Sequence, residues 1–190
     1  MDAATTVGPN AGPTVKLTVN GREVEGPSDG RRLLDWLRDD LGVTSVKAGC
    51  EMGHCGACTV LLDRRPVLAC TTLTALLPGG SAVSTAEHVA DAPTGRRLVE
   101  EFVRCGAAQC GFCTPGMLCA SSAYLTDPGL AADVRAALAG NVCRCTGYAQ
   151  IVEAVEAVRA AEAGRARDAG RAAEAEEVPV ASMGERGKRC

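Results

Sequence analysis

Alternating apolar and polar positions predict a β-hairpin near the start of the chain. Residues Thr14 to Asn20 alternate as a half-buried strand does, and Arg22 to Glu25 repeats the pattern. The dipeptide Asn20-Gly21 between them suits a tight two-residue turn. We therefore expect two antiparallel strands here.

Helical and strand patterns alternate over the next fifty or so residues. Leucines recur at helical spacing from Leu33 to Leu41, and Gly42 is a stop signal. A glycine-rich loop follows from Lys47, and two further strands are predicted at Thr59 to Leu62 and Val67 to Cys70. The apolar face of the helix must pack on the sheet, so the order strand, strand, helix, loop, strand, strand predicts a compact α+β unit.

Helical periodicity dominates the second half of the chain. The stretch from Pro78 to Thr94 has turn and linker chemistry, and we place a domain boundary there. Beyond it, four runs of apolar residues at helical spacing predict four short helices in a small bundle. After Ala160 the chain is mostly Ala, Glu, Arg and Gly, which cannot bury a face of its own. The predicted units are a first domain at 14–86, a helical domain at 90–160 and a polar, disordered tail at 161–190.

Composition narrows the possible functions. The 190 residues include 11 cysteines but only 3% aromatic side chains, so metal binding would compensate for a small apolar core. A formal charge of −3 without a concentrated basic stretch argues against a nucleic-acid partner. Residues Met1 to Pro13 lack a signal-peptide pattern, and no run reaches the ~20 apolar residues of a membrane span, so we expect a cytoplasmic protein. In that reducing compartment clustered cysteines indicate metal or redox chemistry more often than disulfides.

Four cysteines form the first candidate metal site. Cys50, Cys55 and Cys58 share the glycine-rich loop with the spacing Cys-x4-Cys-x2-Cys, and Cys70 follows on the returning strand. This is the pattern of plant-type ferredoxins, whose [2Fe-2S] cluster gives each iron two thiolate ligands. Zinc is the alternative, but zinc sites usually combine two hooks of two cysteines. We expect His54 in the loop to be solvated rather than a ligand.

A second candidate site combines Cys110 and Cys113 with Cys143 and Cys145. Cys113 and Cys145 are each followed by a threonine, a good helix N-cap, and then by a predicted helix. A helix N-terminus carries a positive partial charge and free N–H groups, which favour an anionic cluster. The sequence therefore predicts that two helices begin at this second site.

Cys105 creates an ambiguity, because Cys105, Cys110 and Cys113 also have the spacing Cys-x4-Cys-x2-Cys. Cys105 is predicted in the last turn of a helix, where the helix dipole is negative and repels an anionic cluster. We therefore interpret Cys105, Cys119 and Cys190 as non-ligands, with Cys119 as a packing residue.

Three motifs together resemble the small iron–sulfur subunit of the molybdenum hydroxylases, the family of xanthine dehydrogenase, aldehyde oxidase and aerobic carbon monoxide dehydrogenase. They are GCEMGHCGACTV at 49–60, QCGFCTPGM at 109–117 and GNVCRCTGY at 140–148. The resemblance covers about Val15 to Arg159. It implies a β-grasp plant-type ferredoxin domain followed by an all-α four-helix-bundle [2Fe-2S] domain, and it agrees with the eight ligands chosen above.

The resemblance also implies partners and a function. A large subunit would hold a molybdenum pterin and a medium subunit would hold FAD, in a dimer of heterotrimers. Electrons would pass singly from molybdenum through two [2Fe-2S] clusters to FAD, and no side chain of this chain would touch substrate. Gln109 and Cys145 would lie near the pterin. The alternatives are a free-standing two-cluster electron carrier and a zinc-stabilised interaction module.

Overall fold

A mixed sheet forms the first half of the chain in the computed structural model, which describes residues 14–176, with side chains to residue 168. The five strands are β1 (Thr14–Val19), β2 (Arg22–Pro27), β3 (Thr59–Leu62), β4 (Arg65–Leu68) and β5 (Ala82–Ser84). Their spatial order is β2-β1-β5-β3-β4. β1 and β5 are parallel, whereas the other neighbouring strands are antiparallel.

The predicted hairpin is present as β1 and β2. Asn20 and Gly21 have φ angles of 51° and 79°, as a tight two-residue turn with the right twist requires. By contrast, β5 lies within the stretch that the sequence assigned to a linker, and that assignment is wrong. Val83 of β5 is buried and pairs with both β1 and β3, so this short strand joins the two hairpins of the sheet.

Six helices complete the described fold. They are α1 (Leu33–Asp35), α2 (Ala86–Asp91), α3 (Pro93–Arg104), α4 (Thr114–Thr126), α5 (Val134–Leu138) and α6 (Ala149–Glu176). α1 continues as a π-helical segment at Trp36–Asp40, and single 3₁₀ turns lie at Thr74–Leu76 and Pro128–Leu130. Over the described residues no helix has the length and apolar character needed to cross a membrane.

The last helix extends beyond the predicted end of the helical region. α6 continues through 161–176, where the sequence favoured a disordered tail, because Ala, Glu and Arg are strong helix formers. Residues 14–158 belong to one compact unit, and the chain from Arg159 belongs to a second. The predictions for Met1 to Pro13, for residues 177–190 and for Cys190 lie outside the described residues.

The prediction of an all-α four-helix bundle as a second domain is wrong. The structure has a mixed five-stranded sheet with six helices, and α4 packs on the sheet as well as on other helices. Cys119 and Ala123 of α4 form a small core with Leu61 of β3 and with Ala86 and Val89 of α2. The physical reason is that buried residues occur on every side of α4, so both sides must be covered.

Candidate metal centres

The four cysteines of the first set come together beside the β3-β4 hairpin. Cys58 directly precedes β3, and the N–H of Ala69 donates to its carbonyl, which brings Cys70 alongside. The thiols approach one another in two pairs, Cys50 with Cys55 and Cys58 with Cys70. Two pairs of thiolates suit two irons that each need two sulfur ligands.

Backbone N–H groups point at the sulfur of Cys50 in this first set. The Sγ of Cys50 accepts hydrogen bonds from the N–H groups of His54 and Cys55, each at 3.3 Å. The N–H of Met52 contributes most, and with these two donors it lowers the pKa of Cys50 to about 6; the thiolate is the form that binds metal. The His54 side chain is exposed, and its residue contributes through the backbone.

The inner part of the first set is buried and tightly packed. Burial raises the pKa of the Cys58 thiol to about 11, and a metal ion would displace its proton on binding. A Cβ at Gly49 would lie 2.8 Å from the Sγ of Cys55, so a larger residue there would require the Cys55 thiol to move. Gly53 and Gly56 have φ angles of 81° and 69°, which glycine adopts without strain.

The second set also forms two thiol pairs. The Sγ atoms of Cys110 and Cys145 are 3.6 Å apart, and the thiols of Cys113 and Cys143 interact directly. Cys110 and Cys145 are exposed, whereas Cys143 is buried. In the described chain no three His, Cys, Asp or Glu side chains surround a position for a single ion. The pairing instead matches the two-iron arrangement at the first set.

Local hydrogen bonds and burial shift the pKa values of the thiols in the second set. The N–H of Phe112 is the main cause of the lowered pKa of Cys110, and burial raises the pKa of Cys113 to about 12. Burial opposes ionisation of Cys143, but the hydroxyl and N–H of Thr146, at 3.1 and 3.5 Å from its Sγ, lower its pKa overall. These contacts therefore make Cys110 and Cys143 easier to ionise than an ordinary cysteine thiol.

The two threonines near this set do not cap helices as predicted. Cys113 occupies the N-cap of α4 and makes no side-chain cap hydrogen bond, and α6 begins at Ala149, so the Thr146 hydroxyl contacts Cys143 instead. The Thr114 hydroxyl is buried and has no hydrogen-bond partner among the described residues. An unpaired buried donor on the residue after Cys113 fits an anionic, sulfur-rich group held by that cysteine.

Hydrogen bonds join the two cysteine loops directly. The N–H of Val142 donates to the carbonyl of Cys55 at 2.8 Å, and the buried Asn141 side chain donates to the carbonyl of Gly56 at 2.9 Å and to the Thr59 hydroxyl at 3.1 Å. Val142 precedes Cys143 in the chain. A path of covalent bonds and this single hydrogen bond therefore runs from Cys55 of the first set to Cys143 of the second. No local pattern in the sequence indicates that these two loops meet, so this contact could not be predicted from it.

The remaining candidate residues are two further cysteines and Gln109. Cys105 occupies the C-cap of α3, directly after the helix, and is half-buried. Cys119 is only 1% exposed in α4, where burial raises its pKa to about 12, so it packs as predicted. Gln109 is exposed beside Cys110.

Two family models match the chain. Residues 17–75 match a 2Fe-2S iron-sulfur cluster binding domain, and residues 85–156 match a [2Fe-2S] binding domain. The two matches contain the first and the second cysteine set, respectively.

Individual relatives agree with these matches. The chain is 45% identical to the 6-hydroxypseudooxynicotine dehydrogenase complex subunit beta of Paenarthrobacter nicotinovorans, over 73% of this chain and 88% of that protein. It is 44% identical to the nicotinate dehydrogenase small FeS subunit of Eubacterium barkeri, over 75% of this chain and 92% of the relative. The crystal structure of the aldehyde oxidoreductase from Desulfovibrio desulfuricans aligns with a TM-score of 0.72 and 41% identity, over 80% of this chain but only 17% of that chain.

Proposed function

The chain belongs to the family of small iron–sulfur subunits of the molybdenum hydroxylases, and on this premise we propose that it carries single electrons from a molybdenum pterin to FAD on partner subunits. Its own cofactors are two [2Fe-2S] clusters, one in each matched domain. Each cluster, when bound, takes up and releases one electron. The substrate would therefore be bound elsewhere in the complex.

We assign one cluster to each cysteine set. Cys50, Cys55, Cys58 and Cys70 would hold the first cluster, and Cys110, Cys113, Cys143 and Cys145 would hold the second. The pairing of thiols at both sets supports this assignment, since each iron of such a cluster takes two thiolates. Cys105 and Cys119 would remain free thiols.

The contact between the two cysteine loops is the observation that supports the proposed function most directly. A chain that holds two clusters for unrelated purposes would have no need to join them. Here the Val142 N–H donates to the Cys55 carbonyl, and the Asn141 side chain holds the same two loops together. These bonds fix the separation of the two sites, which a stepwise electron path requires.

Exposure suggests the direction of the path. Gln109, Cys110 and Cys145 are exposed at the second site, so a partner's cofactor could approach that site closely. We propose that the molybdenum pterin lies there, beside Gln109 and Cys145, and that FAD receives electrons from the first site.

We further propose the assembly and its location. The expected partners are a large molybdenum-pterin subunit and a medium FAD subunit, in a dimer of heterotrimers located in the cytoplasm. We propose domain limits of 14–86 and 90–160, since each range contains most of one family match, at 17–75 and 85–156, and we propose that 161–190 is an appended polar tail.

Purification of the tagged full-length chain from its native host tests this function. We expect a complex that contains molybdenum, flavin and four irons per copy of this chain. If the chain elutes alone with four irons, it is a free-standing electron carrier and the proposed function is wrong. Stoichiometric zinc in place of iron would contradict both functions.

A further inference from the structure

Tyr148 has an unusual backbone conformation next to the second cysteine set. It follows Gly147, and both residues have left-handed φ angles, of 70° and 65°. A bulky side chain rarely adopts this conformation, so the surrounding contacts must favour it. Tyr148 lies between Cys145 and the start of α6, and its carbonyl accepts a hydrogen bond from the N–H of Val152 at 2.9 Å.

The left-handed backbone turns the phenol back towards the loop that contains Cys143. The Cys143 N–H donates to the Tyr148 Oη at 2.8 Å, and this hydroxyl in turn donates to the carbonyl of Asn141 at 3.2 Å. One hydroxyl thus satisfies a donor and an acceptor on the same short loop. The hydroxyl also accepts the hydrogen bond of the Cys143 N–H, which would otherwise have no acceptor beside the cluster.

The backbone N–H of Tyr148 acts on the sulfur of the same cysteine. It donates to the Thr146 Oγ1 at 3.1 Å, so the proton of that hydroxyl is free to point at the Cys143 Sγ, also 3.1 Å away. Tyr148 therefore influences Cys143 at its N–H through the phenol and at its sulfur through Thr146.

The loop that Tyr148 holds is the loop that contacts the first site. Asn141 and Val142 are hydrogen-bonded to Gly56 and Cys55, as described above. A change at Tyr148 should consequently act first on Cys143, whereas the ligands of the first site are held by their own backbone donors.

We propose that Tyr148 is a positioning residue for the second cluster, which keeps the Cys143 N–H away from the cluster sulfur and so keeps its reduction potential low. Without the hydroxyl, the freed N–H can donate to a cluster sulfur. Such a bond stabilises the more negative, reduced state, so the potential of the second cluster should rise. This inference rests on the proposed function, because it requires a cluster at the second site.

The test compares Tyr148→Phe with Tyr124→Phe in the purified full-length complex. The chain has two tyrosines, and Tyr124 packs in the helical core. Redox titration monitored by EPR follows both clusters, and the signal of the second cluster is the one that Cys143→Ser alters. Tyr148→Phe should make it about threefold more favourable for a shared electron to reside on the second cluster than on the first. At 59 mV per tenfold change, this raises the reduction potential of the second cluster relative to the first by about 28 mV. It should also change the g values of that signal alone, and Tyr124→Phe should change neither signal.

Loss of the second cluster alone in Tyr148→Phe, with the first retained, would also support the positioning role. Unchanged potentials, a lowered potential of the second cluster, or equal effects on both clusters would overturn it. These outcomes differ from failure of the proposed function, in which the unsubstituted complex itself would lack two iron–sulfur signals.

Discussion

Replacing Gly56 by alanine should disrupt the contact between the two cysteine loops. Gly56 has a φ angle of 69°, and a Cβ there would overlap the Gly140 carbonyl and lie 2.8 Å from the Cα of Asn141. The left-handed conformation costs an alanine about 1–2 kcal/mol, and forced overpacking costs about 1–3 kcal/mol. The free energy of unfolding should therefore fall by roughly 2–5 kcal/mol, the sum of these two costs.

Alanine variants at two other glycines measure the conformational cost and the packing cost separately. Gly106 has a φ angle of 64° but open space around its position, so Gly106→Ala should lose only the conformational part, about 1–2 kcal/mol. Gly116 in α4 does not have a left-handed φ angle, but a Cβ there would overlap the Gly56 carbonyl, so Gly116→Ala should lose only the packing part, about 1–3 kcal/mol.

The assay is thermal unfolding of the cluster-containing chain, followed by visible absorption and circular dichroism at one scan rate. A loss of 1 kcal/mol lowers the midpoint by about 2–4 °C for a chain of this size. Gly56→Ala should thus lower it by roughly 4–20 °C, and Gly106→Ala by roughly 2–8 °C. If Gly56→Ala is no less stable than Gly106→Ala, the two loops are not in contact and the proposed path between the sites is wrong.

Three further predictions concern the cysteines and the end of the chain. Cys105→Ser should leave the iron content and both EPR signals intact, whereas Cys143→Ser should abolish or alter one signal, and the reverse result would refute the ligand assignment. Iodoacetamide at pH 8 should modify Cys105 before Cys119, because a pKa of about 12 leaves about one Cys119 thiol in ten thousand ionised, and peptide mass spectrometry that finds equal labelling would contradict this. A chain truncated after Ala163 should keep its iron and its visible spectrum, because the side chains of 161–168 are mostly exposed, and release of a cluster would show that α6 beyond that point stabilises the fold.

Local chemistry explains what the sequence could predict. The turn at Asn20-Gly21 needs left-handed residues, and β3 was predicted with its observed limits, because its residues are β-branched or apolar between clear turn signals. The short spacings within each set, such as Cys55 to Cys58 or Cys110 to Cys113, reflect the reach of one loop around a site. These features depend on residues close together in the chain.

Tertiary contacts explain what the sequence could not predict. β5 has only three residues, too few to show alternation, and its place in the sheet comes from pairing with β1 and β3. The prediction of a four-helix bundle is wrong because helical periodicity indicates how many helices form but not which elements pack against α4. The bond between Asn141 and Gly56 joins residues 85 positions apart, and no short motif encodes such a contact.

EPR spectroscopy of the dithionite-reduced, full-length chain tests the central claim most directly. Two [2Fe-2S] clusters in different surroundings should give two distinct signals, each integrating to one spin per chain, because each reduced cluster holds one unpaired electron. The sample should also contain four irons and four acid-labile sulfides per chain. A single signal with two irons in anaerobically reconstituted protein, or a colourless protein with stoichiometric zinc, would contradict the account.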